Sequence, residues 1–384
     1  MRRTIGLLLL GILFAGMPGC LVSTDDAAAV NAQLFTSQVK KTSAPIYSTV
    51  VDSEGGIDHI VLGYYTGEPA SYHSVEAFSK AINMVAVDVF TVQMDGSISG
   101  SDALDIHSLA DSFGIQLYAC VSNYNNDPAV NDFDSDLAHV AIDTHREKMI
   151  ENLVSLAVQR EYSGINIDFE NLAYSKNIED DRTAFTSFIQ ELAATLHKHD
   201  LKLIISVPGK TDDLITNTWA YPFDLAVLGS AADYLQLMTY DQHGPWSEPG
   251  AVAGADWVEE CLRYTASLVD PAKLLIGLPA YGYDWDLTVS AGENNAYDAT
   301  AFSWVNVPEL LAKPGAEINW NSVSHSPSVI YTEAGHEHIA WYENAESIRI
   351  KTSLVQQYNL AGLSMWALGK EDESFWQAAM EGLE

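Results

Sequence analysis

Residues Ser163–Asn171 read SGINIDFEN. Ile165, Ile167 and Phe169 alternate with Asn166, Asp168 and Glu170, the two-residue period of a β-strand whose successive side chains face opposite ways. One face is apolar and packs on something dry. The other lines up an amide and two carboxyl groups. Neighbouring acids repel, and burying either is costly without a partner. A solvated edge strand would tolerate such a face, so the rest of the chain has to decide.

Eight short apolar stretches alternate with helical ones. The strand candidates are His59–Thr66, Met84–Val92, Ile115–Asn123, Gly164–Glu170, Leu201–Pro208, Tyr234–Asp241, Lys273–Gly282 and Gly362–Leu368. A helix is expected over Thr144–Arg160, where Met149, Ile150, Leu153, Val154 and Leu156 follow a 3.6-residue period. Another is expected over Asp181–His199, acidic at its start and basic at its end, as the helix dipole favours. Eight strands and intervening helices predict an α/β fold, a (β/α)8 TIM barrel, with a doubly wound open sheet as the alternative. No glycine-rich phosphate loop follows the first strand, which weighs against nucleotide binding. The segment Asp284–Tyr342 is too long for a βα connection, and its INWN, SVIYTE and HIAWYE stretches predict a small α+β insertion between strand 7 and the last helix. Polar residues collect at the C-terminal ends of the strands: Tyr64, Tyr65, Asn123, Glu170, Tyr240, Asp241 and Trp366. In a barrel that end carries the active site. An edge strand explains none of this.

The chain has 384 residues, 47% of them hydrophobic, with 19 basic against 52 acidic residues and a net charge of −33. Such acidity excludes nucleic acid as a partner and suits a neutral substrate or a salty medium. Arg2 and Arg3 precede the apolar run Ile5–Ala15 and then GMPGC, ending at Cys20. That run is too short to span a bilayer, so residues 1–20 are expected to be a signal peptide. MPGC is similar to the lipobox of bacterial lipoproteins, although Met17 and Pro18 are unusual there. The expectation is an exported, lipid-anchored protein modified at Cys20, with plain secretion as the alternative and no other membrane contact. Residues 21–56 read as a tether and 57–384 as the barrel, with the insertion at about 284–342. Cys120 and Cys261 lie in apolar contexts and are expected to be buried thiols rather than a disulfide framework. The histidines are scattered without zinc-type spacing, so neither a metal nor a cofactor is expected.

Inside a barrel, Asn166, Asp168 and Glu170 would ascend the lumen, with Glu170 nearest the substrate. Two close carboxyls share a proton, which keeps one of them protonated near neutral pH. A protonated glutamic acid can protonate a leaving oxygen, and paired carboxyls on a sugar acetal are the general glycosidase pattern.

SGINIDFEN resembles the fourth-strand signature of glycoside hydrolase family 18, the chitinase-like barrels, written D-G-x-D-x-D-x-E. Gly164, Asp168 and Glu170 match; Ser163 and Asn166 replace aspartates. GYY (Gly63–Tyr65), LMTYD (Leu237–Asp241), GLPAYG (Gly277–Gly282) and GLSMWALG (Gly362–Gly369) agree in order. The asparagine form looks like the branch of bacterial spore-cortex-lytic N-acetylglucosaminidases. The resemblance implies a retaining hydrolase of β-linked N-acetylglucosamine glycans, of peptidoglycan or chitin type. The substrate's own acetamido group would be the nucleophile. It assigns acid/base catalysis to Glu170, orientation of the acetamido N–H to Asp168 and a hydrogen bond to its oxygen to Tyr240. Trp366 would floor the sugar, with Tyr64, Met238, Asp241, Asn123 and Asn166 as further substrate-binding positions. Asn166 is the departure, since an amide cannot share a proton as an aspartate does. The rival is a non-catalytic glycan-binding surface lipoprotein on the same barrel. Endo or exo action and oligomeric state stay open.

Overall fold

The structure, a computed structural model, describes residues 59–102, 104–292 and 297–384. The expected signal peptide, Cys20 and the tether lie outside the described residues. Eight parallel strands form the barrel: β1 (Ile60–Tyr65), β2 (Met84–Val92), β3 (Gln116–Ser122), β4 (Gly164–Asp168), β5 (Lys202–Pro208), β6 (Tyr234–Met238), β7 (Leu274–Pro279) and β8 (Gly362–Trp366). Each pairs with its neighbours in sequence, and β1 pairs with both β2 and β8, which closes the ring. The open doubly wound alternative is excluded by that closure.

The pattern of SGINIDFEN explains its position. Ile165, Ile167 and Phe169 are fully buried in the layer between strands and helices. Phe169 stacks on Phe188, ring centroids 6.0 Å apart. Each such side chain contributes roughly 1.5–3 kcal/mol on burial. Strand proximity requires Gly164, because a Cβ there would lie 2.0 Å from the Lys202 carbonyl oxygen. The opposite faces fill the lumen with Leu62, Tyr64, Met84, Ala86, Tyr118, Cys120, Ile204 and Leu275. Cys120 on β3 and Cys261 in the helix Ala255–Ala266 are both free and buried.

The helix expected over Thr144–Arg160 is Arg146–Gln159, preceded across His145 by a separate helix, Ser135–Thr144, capped by Asp134. The one expected over Asp181–His199 is Ile178–Leu196, with Glu179, Asp180 and Asp181 in its first turn, followed by a 3-10 turn at His197–His199.

Lys273–Gly282 is not one strand. β7 stops at Pro279, which has no N–H to continue the ladder. The Ala280 N–H turns to the Trp366 carbonyl instead, at 2.8 Å. The chain then enters the insertion with strand Tyr281–Asp286. This joins four more in an antiparallel sheet ordered 299–303, 281–286, 336–341, 326–333, 317–321. A short helix, Val307–Leu311, completes the α+β unit. The insertion ends before the helix Ala345–Gln357 that leads into β8, whereas the chain's last helix, Glu373–Leu383, follows β8. Glu343 and Lys351 fix this junction as a buried ion pair, 2.6 Å apart.

Candidate active site

The luminal side chains lead up to the carboxyl groups of Asp168 and Glu170. At its floor, the Tyr64 hydroxyl donates to Asn166 Oδ1 at 2.9 Å and lies 3.1 Å from Ser206 Oγ. Asn166 Nδ2 lies 3.1 Å from the same Ser206 oxygen. Asn166 is wholly buried and committed to this network, so it is a floor residue and not a substrate-binding one. An amide serves there because it both donates and accepts. Tyr64 is likewise engaged through its hydroxyl; its ring flanks Trp366, centroids 5.4 Å apart.

One pleat higher, burial raises the Asp168 carboxyl to about 6, while the Ser206 hydroxyl pulls it back. Glu170 follows just past the strand. Burial first, then the negative field of Asp168, Asp241, Asp132 and Asp88, pushes its carboxyl well above the usual range. A group so placed holds its proton to higher pH than an exposed glutamate does. The two acids interact through space, and Asp168 has its hydroxyl partner in Ser206 rather than in Glu170. Asp168 and Glu170 thus titrate as an interacting pair.

Asn123 corrects a second expectation. It is fully buried, and its amide clasps the Glu170 peptide from both sides. Asn123 Oδ1 accepts from the Glu170 N–H at 2.9 Å, and Nδ2 donates to the Glu170 carbonyl at 2.9 Å and to the Asp134 carbonyl at 3.1 Å. Both amide hydrogens are thereby taken. Its work is to hold the main chain of Glu170.

Tyr240 stands half-buried beyond the end of β6, edge-on to Tyr281 at 6.3 Å. Burial and the nearby Asp168, Glu170 and Asp241 raise its phenol well above the ordinary value, so it remains a hydrogen-bond donor. Met238 and Trp366, also half-buried, end β6 and β8. Asp241 adopts a left-handed backbone, φ 59°. Its Oδ1 accepts from Tyr281 at 2.6 Å and Tyr283 at 3.1 Å, both on the first insertion strand. Asp241 thus anchors the insertion to the barrel mouth before it can serve a ligand. Trp285 is buried, with Nε1 on the Ser247 carbonyl; Trp257 packs against the outer core; Trp246 meets Tyr283 edge-on. Ser206, Tyr281 and Tyr283 join the site although the sequence analysis gave them no role. The parity of each strand, counted from Asn166, would have found Ser206.

Among the described residues no group of three or more His, Cys, Asp or Glu is arranged to hold a metal. The arrangement can hold one carboxylic acid protonated, keep a second acid beneath it and present a phenol and an indole face alongside. That is equipment for protonating a leaving oxygen over a sugar.

The chain is 36% identical over 326 residues to the uncharacterized glycosylase YvbX of Bacillus subtilis (strain 168), covering 84% of this chain and 91% of that one. It is 26% identical to the cortical fragment-lytic enzyme of the same organism, over 75% of this chain and 64% of the relative. The chitinase structure from Chromobacterium violaceum ATCC 12472 superposes with a TM-score of 0.77 at 38% identity, covering 85% of this chain and 99% of the other. Residues 36–371 match the model for Glycosyl hydrolases family 18. With that match spanning most of its length, the chain belongs to glycosyl hydrolases family 18 and is a glycoside hydrolase.

Proposed function

We propose that the protein hydrolyses β-linked N-acetylglucosamine glycans, of chitin or peptidoglycan type, with retention at the anomeric carbon. Glu170 protonates the glycosidic oxygen. The 2-acetamido carbonyl of the sugar attacks the anomeric carbon, and the resulting oxazolinium ion is opened by water that Glu170 deprotonates. Asp168 orients the acetamido N–H and balances the developing charge, while Tyr240 holds the acetamido oxygen for attack. Trp366 offers its face to the sugar ring. The observation that carries this is the raised Glu170 carboxyl above Asp168 at the barrel mouth, clasped through its main chain by Asn123. The names of similar proteins support the substrate class, as they include a chitinase and a cortical fragment-lytic enzyme. The proposal includes export with a lipid at Cys20, supported by Arg2, Arg3 and the apolar run ahead of it.

Product analysis by mass spectrometry, with chitin oligomers and purified peptidoglycan side by side, tests the substrate. Release of reducing-end N-acetylglucosamine units from at least one is expected. Glu170→Gln is expected to lower turnover by at least about 10²-fold while glycan binding survives. Oligomers carrying free amines in place of N-acetyl groups are expected to resist hydrolysis. Equal turnover of acetylated and deacetylated chains would refute substrate assistance.

A further inference from the structure

The motif strand has lost one carboxyl at Asn166, yet the lumen still holds three acids. The third comes from β2. Asp88 is the last luminal residue of that strand, following Ala86 in the lumen, while Val85 and Val87 face the outer core. A β-bulge follows it: the register with β3 jumps between Asp88 and Phe90, leaving Val89 unpaired. Without the extra residue, Phe90 would take the luminal parity; with it, Phe90 and Val92 return to the outer core. The bulge is accommodated by Gly100, φ 116°, where a Cβ would sit 2.1 Å from the Val89 carbonyl oxygen. Asp88, Cys120 and Asn166 occupy one row across β2, β3 and β4, one step below the Ser122–Asp168 pair.

We infer that Asp88 is a positioning residue that stands in for the missing motif aspartate, sharing charge with Asp168 and holding Glu170 in its protonated form. This rests on the function proposed above. Burial and Asp168 raise the Asp88 carboxyl to about 7, and the Cys120 thiol hydrogen-bonds to it. Asp168 and Glu170 face it from β4 and its following turn, and Cys120 from β3. The strand Ile98–Gly100 brings no titratable group. The outer helix Ser135–Thr144 carries Asp136, His139 and Asp143, none of which acts on Asp88. Once ionised, Asp88 adds a negative charge beside that of Asp168 and keeps the proton on Glu170 to higher pH.

Two readouts test this. The first is the titration of the Glu170 carboxyl by 13C NMR, its resonance identified by loss in Glu170→Gln; it needs no turnover. The second is the pH profile of kcat/KM on an N-acetylglucosamine oligomer. Asp88→Asn is expected to lower the Glu170 titration point by about one pH unit and to move both limbs of the profile toward acid. Adding Asn166→Asp to Asp88→Asn is expected to return both toward wild type. An unmoved titration in Asp88→Asn, or no recovery in the double variant, overturns the inference even if the wild type is a good glycosidase. Asp88→Ala gives the same titration comparison should the amide pack poorly. A titration shift with unaltered preference for acetylated substrate supports the inference; loss of that preference in the wild type counts against the proposed mechanism instead.

Discussion

In the proposed mechanism two luminal acids, Asp168 and Glu170, carry the chemistry, and burying them costs folding free energy. Burial raises Asp168 from 3.8 to about 6, so the folded state binds its proton more tightly than the unfolded chain. The penalty is absent below pH 4, where both states are protonated, grows between pH 4 and 6, and is full above 6. At about 1.4 kcal/mol per unit it reaches up to ~3 kcal/mol. Asp168→Asn is therefore expected to raise Tm above pH 6 and leave it unchanged below pH 4 while activity falls; thermal melts across that range check it. The site was only partly legible at this scale. Asp168, Glu170 and Tyr240 stand in recognisable strings, and their placement at the mouth follows from strand ends. Asn123 and Asn166 were misread because a polar residue near a strand's end or in its lumen can face a ligand or a neighbouring peptide, and only packing distinguishes them. Asp88 sat unnoticed inside MVAVDVFTV because the bulge one residue further on breaks the strand's alternation and puts Phe90 on the outer face.

At the scale of elements, the eight barrel strands could be read from period and spacing, since burial on both faces leaves a near-continuous apolar run. The break at Pro279–Ala280 could not, because Tyr281, Tyr283 and Trp285 are as β-prone as the residues before them, and only a change of partner separates the two strands. The helix Ala345–Gln357 is held by a different kind of contact. Lys351 is wholly buried and meets only Glu343 among the carboxylates, and burial raises the Glu343 carboxyl while Lys351 draws it down. Removing one member leaves a charge stranded in the interior. Lys351→Met is expected to cost about 3–5 kcal/mol. The double change Glu343→Leu/Lys351→Met should recover most of it, as chemical denaturation of the three proteins would show.

For the whole molecule, a net charge of −33 means that compaction gathers like charges. Raising NaCl to about 1 M shortens the screening length to roughly 3 Å, so Tm is expected to rise with salt; a flat melting series would contradict this. The insertion is joined to the barrel by more than its two chain crossings. Asp241 receives Tyr281 and Tyr283, Trp285 reaches the Ser247 carbonyl, and the Ala255 N–H reaches the Ser324 carbonyl at 2.7 Å. A carboxylate gripped by two phenols makes a poor hinge. On the proposed function, a glycan therefore meets a finished mould rather than a closing jaw, and the conformational freedom given up on docking belongs to the saccharide. Loose single strands are the natural guests of such a mould, and tightly crystalline fibres, which must first release a strand, the reluctant ones.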